Sequence, residues 1–168
     1  MRLFFAIIPD KSTSVSLHAN GNILVTHSRG HVVSADRLHL TLAFLGEVAP
    51  ERLDALREIG QGLPRLTGEV WMIDRVGGWP NGIVWVGSAQ PCPALNELVA
   101  ALRQGLSQAG FPTEGRPFVP HVTLQRRARH RLPVQEIAPL PFALRHVSLM
   151  ESTLTPQGPQ YRELQHWP

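Results

Sequence analysis

The chain has 168 residues, 43% of them apolar, which bounds it to one domain or to two small lobes sharing one core. Its single cysteine, Cys92, excludes an internal disulfide and a cysteine-rich metal site, and no apolar run approaches the ~20 residues of a membrane span. Fifteen arginines and one lysine, Lys11, give a net charge of +3 and a pI of about 10.0; this suits an anionic partner and, through guanidinium, phosphate, although a GC-rich genome produces the same arginine bias.

Residues 3–8 are apolar throughout and read as a buried first strand. The run is too short for a signal-peptide core, and Pro9-Asp10 ends it without a small-residue cleavage site, so a cytoplasmic location is expected. Pro9 opens a segment expected to be helical to about Asn20. Residues 50–59 carry Leu53, Leu56 and Ile59 at helical spacing, stopped by Gly60 and Gly62. Residues 69–76 alternate as a strand. The Gly-rich stretch 77–82 should be a hairpin loop leading to a second apolar strand at 83–87. Leu95, Leu98, Val99, Leu102 and Leu106 mark a helix over 94–106, ended by Gly110, with Cys92 a small packed residue near its start. Residues 142–154 are expected to form one long alternating strand after Pro139 and Pro141. A turn at 155–159 and a last strand at 161–164 follow.

One pattern is written twice. His39-Leu40-Thr41-Leu42 and His121-Val122-Thr123-Leu124 lie 82 residues apart, and so do Pro9 and Pro91. Each half therefore reads strand, helix, His-x-Thr-Leu strand, two copies of one α/β unit at about 1–80 and 81–168, interleaved in a single domain. On a strand, residues i and i+2 share a face. Each copy thus presents a histidine with a threonine and sends its aliphatic pair into a core. Two such strands at one cleft supply two imidazoles and two hydroxyls, enough for acid–base chemistry on a phosphate. A neutral histidine takes a proton from the attacking oxygen and a protonated one gives a proton to the leaving oxygen. Thr41 and Thr123 can hold the non-bridging oxygens. No metal or other cofactor is required. His18, His27, His31, His130, His146 and His166 show no ligand spacing and are assigned surface or structural roles.

Arg126 follows the second motif and opens the basic segment 126–131, which reads as a solvated loop. Under strict alternation Arg126 faces away from His121, and only a bulge or a strand end turns it inward. Trp79, in the Gly-rich loop, is the better stacking platform for a base, while Trp85 reads as core.

The segments 38–46 and 118–124 with Arg126, together with the opening strand, 82–85, 161–164 and Trp167-Pro168, resemble the two-histidine phosphoesterase superfamily. Within it they are similar to the RNA 2′,3′-cyclic phosphodiesterases, also called 2′-5′ RNA ligases. The resemblance implies an α+β, bilobal fold: two pseudo-symmetric α/β lobes with largely antiparallel sheets around a central cleft. It implies metal-free hydrolysis of RNA 2′,3′-cyclic phosphate ends to 2′-phosphates. His39 would be the proton donor, His121 the proton acceptor, Thr41 and Thr123 phosphate holders and Arg126 a substrate contact. The near-symmetric motifs do not by themselves separate acid from base. The implied partner is RNA with a cyclic phosphate end, tRNA fragments included, met by a monomer away from any membrane. Three alternatives stay open: another cyclic phosphate such as that of ADP-ribose or oligoadenylate, the reverse 2′-5′ ligation, and a non-catalytic RNA-end-binding module. The segment Gln125-Arg126-Arg127 is more basic than the family pattern.

Overall fold

The computed structural model describes residues 1–156 and 158–168, so the turn expected at 155–159 lies in part, at Gln157, outside the described residues. Among these, nine strands form one sheet: β1 (Arg2–Ile7), β2 (His31–Val32), β3 (Leu40–Glu47), β4 (Val70–Gly78), β5 (Val84–Gly87), β6 (Val122–Arg126), β7 (Gln135–Ala143), β8 (Val147–Thr155) and β9 (Gly158–Trp167). The helices are α1 (Lys11–Ile23), α2 (Val25–Ser28), α3 (Leu53–Gln61) and α4 (Pro93–Gln108). The strand order is β7-β4-β5-β6-β3-β1-β8-β9, with β2 beside β6, and all the described pairings are antiparallel.

That order is symmetric about its centre. The two motif strands β3 and β6 are neighbours, β1 and β5 flank them, and two more strands follow on each side. The halves meet at one pair, Leu40 opposite Val122. Strand β4 precedes the sequence midpoint yet joins the second half of the sheet, while β8 and β9 return to the first. Helix α1 follows β1 but packs on β6, and α4 follows β5 but packs on β3. The lobes therefore exchange their helices, which ties them into one core. Leu3, Phe5 and Ile7 join Leu40, Leu42, Val122, Leu124 and the buried leucines of α4 in that core. A second, small cluster of Phe4, Ala6 and Met150 lies on the opposite face of the sheet.

Local chemistry explains the helices. Asp10 caps α1, its carboxylate accepting from the Thr13 N–H at 2.8 Å. Gly21 lets α1 lie close against β2, since a Cβ there would stand 3.1 Å from the Val32 side chain. Gly60, expected to stop α3, instead lies within it under the Trp167 indole, and an added Cβ would meet that ring at 2.5 Å. Gly60→Ala should therefore destabilise the protein by about 1–3 kcal/mol through overpacking. A thermal melt checks this, and an unchanged midpoint would mean the α3–β9 contact gives way freely. Among the described residues no helix is long and apolar enough to cross a membrane.

The strand expected over 142–154 is two strands. Phe142 belongs to β7, which pairs with β4, whereas β8 pairs with β1 and β9. Three strands stand between β4 and β1, so one straight segment cannot serve both. The apolar alternation runs through the break because Leu144 and Val147 on either side of it are buried too. Strand β7 begins earlier than expected, at Gln135, and carries Pro139 and Pro141; it tolerates them as an outer strand paired on one side only.

Candidate active site

Leu40, Leu42, Val122 and Leu124 are all buried in the core, which turns His39, Thr41, His121 and Thr123 to the other face. Continuing the Leu40–Val122 register by one residue in each direction sets His39 across from Thr123 and Thr41 across from His121. The four polar side chains thus form a diagonal square at the seam of the lobes.

Both strands then bulge at the same place. Against β1, Ala6 faces Thr41 and Phe5 faces Ala43; against β5, Trp85 faces Thr123 and Val84 faces Gln125. In each case two residues, Leu42-Ala43 or Leu124-Gln125, stand where regular pairing has one, and they are related by the same offset of 82. The bulge shifts the alternation. Gln125 is fully buried on the helix side, donating to the Gly21 carbonyl at 2.6 Å and lying against the Ser28 hydroxyl. Arg126 is turned onto the histidine face, and its charge acts on both His39 and His121. Phe44 holds the corresponding place on β3.

Each histidine is oriented by its own chain. Nδ1 of His39 lies 2.8 Å from the Arg37 carbonyl oxygen, and Nδ1 of His121 lies 2.9 Å from that of Val119. A carbonyl only accepts, so both Nδ1 atoms carry hydrogen. Nε2 lies on the far side of each ring from that bond, and the His121 ring lines the cavity described below. Burial pushes His39 down to about 4; the Arg37 hydrogen bond opposes this, and the charges of Arg126 and His121 add to it. His121 is lowered for the same first reason, with Val119 opposing, Arg126 adding and Glu114 opposing.

Each histidine also carries an edge-on aromatic ring. Trp79 meets His121 at 4.6 Å between centroids and an interplanar angle of 72°, and Tyr161 meets His39 at 5.1 Å and 83°. Trp79 and Tyr161 are themselves 82 residues apart. Phe4 closes the other side of His39 at 5.0 Å. A cavity of about 600 Å³ opens beside the seam, its wall including Thr41, His121, Phe44, Trp79, Phe118 and Arg116. Trp79 therefore lies in the site as a wall and a support for His121, packed against Trp85 at 5.6 Å. The Trp85 ring covers Gly77, where a Cβ would stand 2.7 Å from it.

Tyr161, Phe4 and Phe44 were not singled out in the sequence. Tyr161 had a usable signal, its offset of 82 from Trp79. Beyond Arg126, Arg127, Arg129, His130 and Arg131 are exposed, in keeping with a solvated loop.

The sequence profile of the 2′-5′ RNA ligase superfamily matches residues 23–155. The chain is 34% identical to the RNA 2′,3′-cyclic phosphodiesterase of Escherichia coli (strain K12), covering 99% of this chain and 95% of that one. It is 30% identical to the RNA 2′,3′-cyclic phosphodiesterase of Archaeoglobus fulgidus, covering 98% of each. Among solved structures, E. coli LigT complexed with 3′-AMP superposes with a TM-score of 0.86 at 33% identity, covering 99% of this chain and 96% of that one. TT0787 of Thermus thermophilus superposes with a TM-score of 0.86 at 27% identity, over 99% and 97%. With a profile match over most of its length and a relative at this identity across nearly the whole chain, the protein belongs to the 2′-5′ RNA ligase superfamily.

Proposed function

We propose that this chain opens the 2′,3′-cyclic phosphate at an RNA end to a 2′-phosphomonoester, with His39 and His121 as the acid–base pair. The observation that carries this reading is the pair of imidazoles at one seam, each with Nδ1 tied to a carbonyl and Nε2 free. The names of the relatives supply the substrate class.

In the proposed step His121 Nε2 removes a proton from water, and the oxygen attacks phosphorus. The bond from phosphorus to the 3′ oxygen breaks, and His39 delivers a proton to that oxygen. Thr41 and Thr123 hold the non-bridging oxygens, and Arg126 balances the charge that grows on them. No step calls for a metal. Phe44, Trp79 and Phe118 offer aromatic surface to a base in the adjoining cavity. A hydroxyl of a second RNA end in the place of water forms a 2′-5′ linkage by the same step and with the same roles, and because each histidine has the same support, the roles exchange when the 3′ hydroxyl attacks to close the ring again.

The free site is tuned low: His39 sits at about 4 and His121 below its ordinary value. A bound phosphate brings negative charge between them and pairs with Arg126. Both effects favour imidazolium, so both histidine values rise on binding. The limbs of the kcat profile are expected at higher pH than those of kcat/KM. Superposable profiles would mean that the substrate anion does not couple to this pair.

The direct test is a short RNA ending in 2′,3′-cyclic phosphate, incubated with EDTA, with 2′- and 3′-phosphate products resolved. A 2′-phosphate product that survives chelation is expected. A 3′-phosphate product would overturn the leaving-group assignment, and no product at all would overturn the substrate class.

A further inference from the structure

Away from the catalytic seam, the β8–β9 hairpin gathers His146, Glu163 and His166. Their candidate ligand atoms all lie within 4.8 Å of one another. His166 Nδ1 stands 2.8 Å from Glu163 Oε1, and His146 Nε2 stands 3.9 Å from Glu163 Oε2. The two imidazole rings are 4.8 Å apart. Glu163 Oε2 also accepts from the Ser148 hydroxyl at 2.7 Å, and Ser148 is fully buried. Sequence spacing hides the group, because His146 and His166 come together only across the register that pairs Ser148 with His166.

We propose that His146, Glu163 and His166 bind one divalent transition-metal ion of the zinc type. Two imidazoles and a carboxylate are the donor set such ions take when three protein ligands leave a position open to water. Bonds of about 2.0–2.2 Å in a tetrahedron separate the donors by roughly 3.3–3.6 Å. The present separations bracket that range, so side-chain rotation alone closes the site. In the structure as it stands, the hydrogen on His166 Nδ1 occupies the ion's place between ring and carboxylate. With that hydrogen on Nε2 instead, the Nδ1 lone pair faces the ion. Ser148 supplies the outer hydrogen bond that fixes a ligating carboxylate, and its own burial fixes the hydroxyl.

The site lies on the catalytic face of the sheet. Thr41, Ala6, Ser148 and His166 form one row across β3, β1, β8 and β9. Three strand spacings put it roughly 14 Å from Thr41. It is therefore separate from the acid–base pair, and the proposal does not rest on the hydrolytic reading.

Titration of chelator-stripped protein with Co²⁺, followed by visible absorption, and with Zn²⁺, followed by calorimetry and thermal shift, tests the proposal. One ion per chain is expected, with a raised melting temperature. His146→Ala and His166→Ala should each weaken binding at least tenfold. Glu163→Gln keeps the shape and the acceptor for Ser148, so it reports loss of the ligand without loss of the fold. The double variant His39→Ala/His121→Ala should bind as the wild type does. Absence of stoichiometric binding would overturn the proposal. So would binding indifferent to Glu163→Gln and both histidine variants, or binding lost in the catalytic double variant. Hydrolysis should persist in EDTA, which strips this ion.

Discussion

His39→Ala and His121→Ala are each expected to cut the rate of the chemical step by several powers of ten while the melting temperature stays near that of the wild type. A positioned general acid or base contributes about 10²- to 10⁴-fold. Here each also depends on an orientation that no replacement restores, because Nδ1 is anchored to the Arg37 or the Val119 carbonyl. Both side chains lie on the face opposite the main core, so truncation removes contacts with Phe4, Tyr161 or Trp79 but opens no hole among the core leucines. The two losses should not add. Once one partner is gone the concerted proton transfer is gone, and the double variant should be little slower than the worse single one. Single-turnover hydrolysis and circular dichroism decide this together. A variant that folds and turns over at the wild-type rate would remove its histidine from the mechanism. A non-catalytic RNA-end binder would instead show only modest changes in affinity and no turnover in any form.

Much of the site was legible because its chemistry sits on two strands with a period of two. Leu40, Leu42, Val122 and Leu124 announce the buried face, and that fixes where His39, Thr41, His121 and Thr123 must point. The offset of 82 likewise anticipates that β3 and β6 play matching roles. Local pattern could not show the exchange between lobes. That α1 packs on β6 shows in contacts such as that of the Gln125 amide with the Gly21 carbonyl, between residues about a hundred positions apart. The membership of β4 in the second half, and the division of 142–154 between two lobes, are choices of partner, and apolar alternation is blind to partner. The paired bulges are invisible for a related reason. Nothing in Leu42-Ala43 or Leu124-Gln125 resembles a glycine or proline signal. The buried polar contacts of Gln125 with Gly21 and Ser28 hold the second bulge, and those contacts exist only in the fold.

The same bulge makes Arg126 the second position where a large effect is expected. Arg126→Ala should lower kcat/KM about 10²-fold, the usual loss when one preorganised donor to a developing phosphate charge is removed. It should also displace the pH dependence, and the sign is fixed. The guanidinium charge lowers both His39 and His121, so its removal lets both rise, and both limbs of the kcat/KM profile move to higher pH. Arg126→Lys separates the two effects. Lysine restores the charge, which should return the limbs toward their original positions, but it lacks the planar fork that engages two phosphate oxygens, so KM should remain raised. Gln125→Ala provides a control on position. It leaves the arginine in place but removes the amide that donates to the Gly21 carbonyl and packs on Ser28, loosening the bulge that aims Arg126. It should therefore reproduce part of the pH displacement together with a loss of stability of about 1–3 kcal/mol from the buried partners it leaves unpaired. If Arg126→Ala lowers kcat/KM with no movement of the limbs, the guanidinium meets the substrate away from the histidines. Its charge would then add nothing to the burial that holds their pKa values down.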